Sequence, residues 1–213
     1  MFSRLKTLTT VGAFAAIAAL GAVVANSGAA TGGPVQNNRA APEFAGIDQW
    51  LNSQPLTLQQ LRGKVVLVDF WTYTCINCVN TLPHVEKLYE KYKDQGLVVV
   101  GVHTPEYAFE RETKKVRAAI AEHGLQYPVA QDNSYATWNA YGNQYWPAAY
   151  LIDKQGHIVY SHFGEGDYDQ IDAAVREQLA RPAQAGQPAQ AAQAAQAAQA
   201  GQAGQAGQAG QAS

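Results

Sequence analysis

Cys75-Ile76-Asn77-Cys78 is the place in the chain where residue type and spacing point most directly to chemistry, and these are its only two cysteines. The pair follows a short β-branched, apolar run at 64–70 (KVVLVDF) and opens a stretch with helical periodicity. Two intervening residues on the first turn of a helix let two sulfurs meet. The first thiol then sits at a helix N-terminus, where unpaired N–H groups and the positive end of the dipole stabilise a thiolate. Cys75 is therefore expected to act as the nucleophile. Cys78, held just inside the helix, is placed to attack a mixed disulfide.

Other uses of two cysteines fit less well. A zinc site takes about four ligands, and there is no second cysteine pair, although His84 and His103 could contribute. A c-type haem attachment has histidine directly after the second cysteine, and Val79 stands there. A structural disulfide closing four residues would restrain little chain. No metal and no cofactor are expected beyond a redox-active Cys75–Cys78 disulfide.

The elements that must position the pair alternate. Residues 64–70 and 97–102 read as buried strands, and 76–94 as a helix with Val79, Leu82, Val85 and Leu88 along one face. Residues 107–123 read as an amphipathic helix ending at Gly124, and 134–141 as a short helix stopping at Gly142. Strands at 148–152 and 157–161 flank an Asp-Lys-Gln-Gly turn, and 167–180 is a last helix with Asp167 as its N-cap. This order implies an α/β fold with a parallel pair reached by crossover helices and an antiparallel hairpin at the edge.

Of the chain's 213 residues only 15% are charged, below the roughly 25% usual for globular proteins. The ends account for this. Residues 1–42 carry only Arg4, Lys6 and Arg39, and 182–213 carry no charge. The middle is an ordinary acidic domain, and the near-neutral balance of the whole chain, net −2, gives no reason to expect nucleic acid. Residues 1–30 read as a signal peptide, with a basic start, an apolar run at 11–25 and small residues for cleavage, or as a retained membrane anchor. Both readings export the domain. Residues 31–42 read as a linker, 43–181 as the domain, and 182–213 as a disordered Ala/Gln/Gly tail without the apolar content to order itself.

The run GKVVLVDFWTYTCINCVNTLPHVEKLYEKYKDQGLVVVGVHTPEYAFE resembles exported thioredoxin-like proteins of the TlpA and ResA branch. It is most similar to the C-terminal thioredoxin-like part of DipZ-type proteins, and DNSYATWNAYGNQYWPAAYLID and HFGEGDYD extend the match. The resemblance implies a thioredoxin-like fold, a central mixed sheet with helices on both faces. It implies that Asp69 is the buried acid beneath the cysteines, taking the Cys78 proton and returning it. It implies that Pro83 kinks the first helix and that Trp146-Pro147 is a cis-proline loop whose backbone pairs with substrate peptide. Trp71 matches the family's tryptophan near the site. Tyr73 and Thr74 are implied substrate contacts, with Thr74 and Asn77 departing from the usual tryptophan and proline. His103 and Glu106 are candidates to line the site or simply to close a loop, Glu165 is a candidate for the rim, and His84, His123, His157 and His162 read as ordinary surface or half-buried side chains.

The function that follows is an exported thiol–disulfide oxidoreductase. By resemblance it is a reductase of disulfides in extracytoplasmic or periplasmic proteins, including thiol supply to apocytochromes c. A membrane thiol donor would recharge it, and it is expected to act as a monomer. A disulfide oxidant or isomerase is the alternative within the enzyme class, and a tethered redox-sensitive binding module the alternative outside it.

Overall fold

The computed structural model describes residues 39–182. The expected signal or anchor at 1–30, most of the linker and all but the first residue of the tail lie outside the described residues. No helix among the described residues is long and apolar enough to cross a membrane.

The elements are β1 (Arg39–Ala40), β2 (Gln49–Leu51), β3 (Val65–Trp71), α1 (Ile76–Tyr92), β4 (Leu97–His103), α2 (Thr113–Glu122), β5 (Val129–Gln131), α3 (Ala136–Tyr141), β6 (Ala148–Ile152), β7 (His157–Phe163) and α4 (Tyr168–Ala180). The strands form one sheet in the order β1-β7-β6-β3-β4-β5-β2. β3, β4 and β5 run parallel, and every other pairing is antiparallel. Parallel neighbours need long crossovers, which α1 and α2 supply, whereas β6 and β7 need only a tight turn. That turn closes at Gly156, whose φ of +82° suits glycine.

β3 is buried along its whole length, and its side chains divide between the two faces with period two. Val65, Leu67 and Trp71 enter one core with Leu82, Val85 and Leu88 of α1, Val116 and Ile120 of α2, and Ile171 and Val175 of α4. Val66, Val68 and Phe70 enter the other, against Trp138 and Tyr141 of α3. Helices therefore cover both faces, as the resemblance implies. The fold is thioredoxin-like.

Several elements differ from their expected bounds. The helix expected at 107–123 is two pieces, a 3₁₀ turn at Ala108–Arg111 and then α2. The break arises because the Glu110 side chain turns inward and accepts the backbone N–H groups of Glu106 (2.6 Å) and Tyr107 (2.8 Å). Asp167 occupies the N-cap position of α4 but makes no side-chain cap bond, with φ at +51°. Its carboxylate lies instead 3.4 Å from His162 Nδ1. β1, within the stretch expected as linker, pairs with β7, and Arg39 Nη2 donates to the Tyr141 carbonyl at 2.7 Å. β1, β2 and β5 are too short to show a period. Pro83 lies inside α1, as expected.

Candidate active site

β3 ends at Trp71, and four residues later the chain enters α1 with Cys75 as N-cap. The Cys78 N–H donates to Cys75 Sγ at 3.2 Å. A thiol sulfur thus takes the position that a Ser, Thr or Asp oxygen usually holds at a helix start. Negative charge developing on that sulfur would meet this N–H and the positive end of α1. Both cysteines are free thiols, Cys75 part-exposed and Cys78 buried. Burial pushes the Cys78 thiol well up. Its hydrogen bond with Cys75 and the Asp69 charge push the same way, against a backbone hydrogen bond at Thr72. Cys78 needs a base before it can attack.

Asp69 lies mid-strand in β3, 1% exposed, on the face that also buries Cys78. Neither carboxylate oxygen has a hydrogen-bond partner, and burial pushes its pKa up to about 8. A carboxyl so placed gains and loses its proton near neutral pH, as a general base and acid must. It is flanked in register by Gly101 of β4 and Ala149 of β6. Gly101 has to be small: a Cβ there would stand 2.9 Å from the Tyr127 ring and 3.0 Å from Trp71 Nε1. Trp71, read as core packing near the site, is fully buried.

The Trp146-Pro147 bond is cis. Trp146 Nε1 donates to the Thr104 carbonyl at 3.0 Å, and its ring packs on Trp138 at 4.0 Å. The Pro147 carbonyl accepts from the Gly164 N–H at 2.9 Å. Tyr73, Cys75 and Trp146 all pack part-buried on the core beneath α1. Tyr73 stacks on His103 (5.6 Å, 16°), and its hydroxyl donates to the Phe109 carbonyl at 3.1 Å. Thr74 donates its hydroxyl to Glu110. Both side chains therefore brace the loop that carries Cys75.

His103 lies under this loop, not on its rim. It is fully buried, edge-on to Trp71 at 5.1 Å, with Nε2 3.3 Å from the Thr72 hydroxyl. Burial lowers its pKa to about 4, so it stays neutral in the physiological range. Glu106 is exposed, and Glu165 accepts from Asn80 Nδ2 at 3.2 Å, tying the β7–α4 loop to α1.

Sequence reasoning missed Glu110, which is fully buried and joins the 104–107 loop to Thr74. Burial alone would raise its pKa. Hydrogen bonds from Thr74, Tyr107, Thr72 and Glu106 outweigh that and hold it below the usual carboxylate range. Its only signal was a carboxylate set in an aromatic stretch. His162, read as an ordinary surface or half-buried side chain, is half-buried. It faces the Asp69 side of the sheet, a placement that needs the β6–β7 register.

The Redoxin family matches residues 36–176. The protein DipZ of Mycobacterium tuberculosis (strain CDC 1551 / Oshkosh) is 53% identical over 149 residues, covering 68% of this chain and 21% of DipZ. The chain thus spans about a fifth of that relative's length. The thiol-disulfide oxidoreductase YkuV of Bacillus subtilis (strain 168) is 34% identical over 140 residues, covering 65% of this chain and 93% of YkuV. The solution structure of a thioredoxin-like protein in the oxidized form superposes with a TM-score of 0.62 at 33% identity, covering 67% of this chain and 96% of that one.

Proposed function

The chain belongs to the redoxin family, and from that premise we propose that it is an exported reductase of protein disulfides working through Cys75 and Cys78. Its class is thiol–disulfide oxidoreductase. The observation that carries the reading is the stack of three groups. A part-exposed Cys75 sulfur caps α1, a buried Cys78 sits one turn inside, and an unpartnered Asp69 carboxyl lies on the same buried face.

The Cys75 thiolate attacks one sulfur of a substrate disulfide. That bond breaks, a mixed disulfide forms, and the first substrate thiolate leaves and takes a proton. Cys78 gives its proton to the Asp69 carboxylate and attacks Cys75 Sγ. The Cys75–Cys78 bond forms and the second substrate thiolate leaves, so two electrons have passed to the substrate. No cofactor enters. Trp146 and Pro147 are proposed to hold substrate backbone beside the sulfurs. Tyr73 and Thr74 act with them by fixing the loop. Exposed Ile76, Tyr107 and Phe109 would give an apolar contact for a protein partner.

The 1–30 stretch, read as a cleaved signal or an anchor, supports a setting outside the cytoplasm. By the family resemblance, a membrane thiol donor would recharge the domain in an extracytoplasmic setting. Insulin reduction in dithiothreitol tests the enzyme claim. Cys75→Ser should abolish the acceleration while leaving stability intact, because serine is a good N-cap. A variant that kept full activity would refute the assignment, and would favour the tethered binding module.

A further inference from the structure

We infer that His162 is a positioning residue for the Asp69 proton, carrying it between the buried carboxyl and solvent. The inference rests on the proposed acid–base role of Asp69. Before the carboxyl can take the Cys78 proton it must be rid of its own, whatever it later returns to Cys78. Asp69 is 1% exposed and has no hydrogen-bond partner of its own, so it has no direct path to bulk water.

The sheet register supplies a path. Asp69 pairs with Ala149, and Ala149 pairs with His162. Directly paired residues point to the same face, so the carboxyl and the imidazole stand on one face of the sheet, on either side of the Ala149 methyl group. Asp69, Ala149 and His162 line one cavity, with Thr81 and His84 of α1 and Tyr168 of α4. Its volume is about 10 Å³, at the lower limit for one water, and its polar side chains are set in a wall that is otherwise apolar, with Leu67, Val85 and Ile171.

His162 has an inner and an outer nitrogen. Nε2 is buried and has no protein partner. Nδ1 lies 3.4 Å from Asp167 Oδ2, and the Asp167 side chain is 52% exposed. With the proton on Nδ1, Nε2 is an acceptor facing inward. When Asp69 gives up its proton through a bridging water, Nε2–H forms. The Nδ1 proton then leaves to solvent by way of the exposed Asp167 carboxylate, so that both carboxylates end charged. Reduction of the enzyme disulfide runs the same transfers backward. Imidazole suits this because one ring nitrogen can accept a proton while the other donates one.

The titratable groups around the relay are Asp69 from β3, His84 from α1, and Asp167 and Tyr168 at the start of α4. His84 and Tyr168 stack on each other at 3.6 Å. On its far side Asp69 faces Tyr127 and Cys78.

The test uses the reduced full-length chain mixed with the chromogenic disulfide 5,5′-dithiobis(2-nitrobenzoate). The first thiolate released reports attack by Cys75, and the second reports resolution by Cys78. His162→Gln should leave the first phase unchanged. It should slow the second about tenfold and flatten its dependence on pH between 6 and 9. Added imidazole should restore the second phase in His162→Ala and leave the wild type unaffected. Either variant alone, once circular dichroism shows it folded, decides the question. If Asp69→Asn slows the second phase while His162→Gln keeps the wild-type rate and pH profile, the relay is wrong and the base role stands. If Asp69→Asn leaves the second phase unchanged, the base role fails and the relay with it.

Discussion

Asp69 and Glu110 are both buried carboxylates, and their surroundings drive them in opposite directions. Asp69 has no donor nearby, so desolvation wins and raises its pKa from 3.8 to about 8. Glu110 is met by donors from Thr74, Tyr107, Thr72 and Glu106, so hydrogen bonding wins and lowers it. The sign for stability follows. Between about pH 4 and pH 8 the folded chain holds a proton on Asp69 that the unfolded chain has lost, so stability falls as pH rises through this window. The fall attributable to Asp69 is up to roughly 5 kcal/mol. Urea unfolding at pH 5 and pH 8 should show it in the wild type, and Asp69→Asn should remove most of the difference. An equal fall in the variant would mean that the carboxyl is not desolvated. Cys75 and Cys78 were legible in the sequence because a two-residue spacing survives without coordinates, whereas Asp69 was reached through the family resemblance. Glu110 and His162 were not, because their burial depends on pairings across 36 and 13 residues of chain, from Thr74 and from Ala149.

At the scale of elements, the site depends on how closely β3 and β4 can be packed beneath α1. Gly101→Ala would drive a methyl group into the Tyr127 ring and Trp71 Nε1. Overpacking of this kind costs about 1–3 kcal/mol, so a matching loss in urea unfolding is expected. Unchanged stability would show that the rings can move. Glu110→Gln removes a charged acceptor from two backbone N–H groups and the Thr74 hydroxyl. A cost of about 1–3 kcal/mol is expected, with faster hydrogen exchange at the Glu106 and Tyr107 amides. Exchange no faster than in the wild type would show that other groups hold the loop. The long strands and α1 were readable because their periods repeat. The helix expected at 107–123 was misread because Glu110 looks like a polar-face residue in a linear pattern. Only the folded loop shows it turning inward. The cis bond at Trp146-Pro147 was reached by family resemblance alone, since no local pattern distinguishes cis from trans proline.

For the whole molecule, the composition divides the chain into a domain of ordinary charge and two ends almost free of it. Only the domain carries the chemistry described above. The ends bear on where it works: an export or anchoring segment before the domain and an uncharged spacer after it are the proposed setting. The match to about a fifth of DipZ fits a redox module that other proteins carry as one part of a longer chain. The direction of electron flow is the claim on which the proposed function rests. It is tested most directly by equilibrating the chain in dithiothreitol buffers and counting free Cys75 and Cys78 by alkylation and mass spectrometry. A reductase should titrate in the reducing part of the dithiol scale, at about −200 to −270 mV. A midpoint near the roughly −120 mV of strong disulfide oxidants would contradict it.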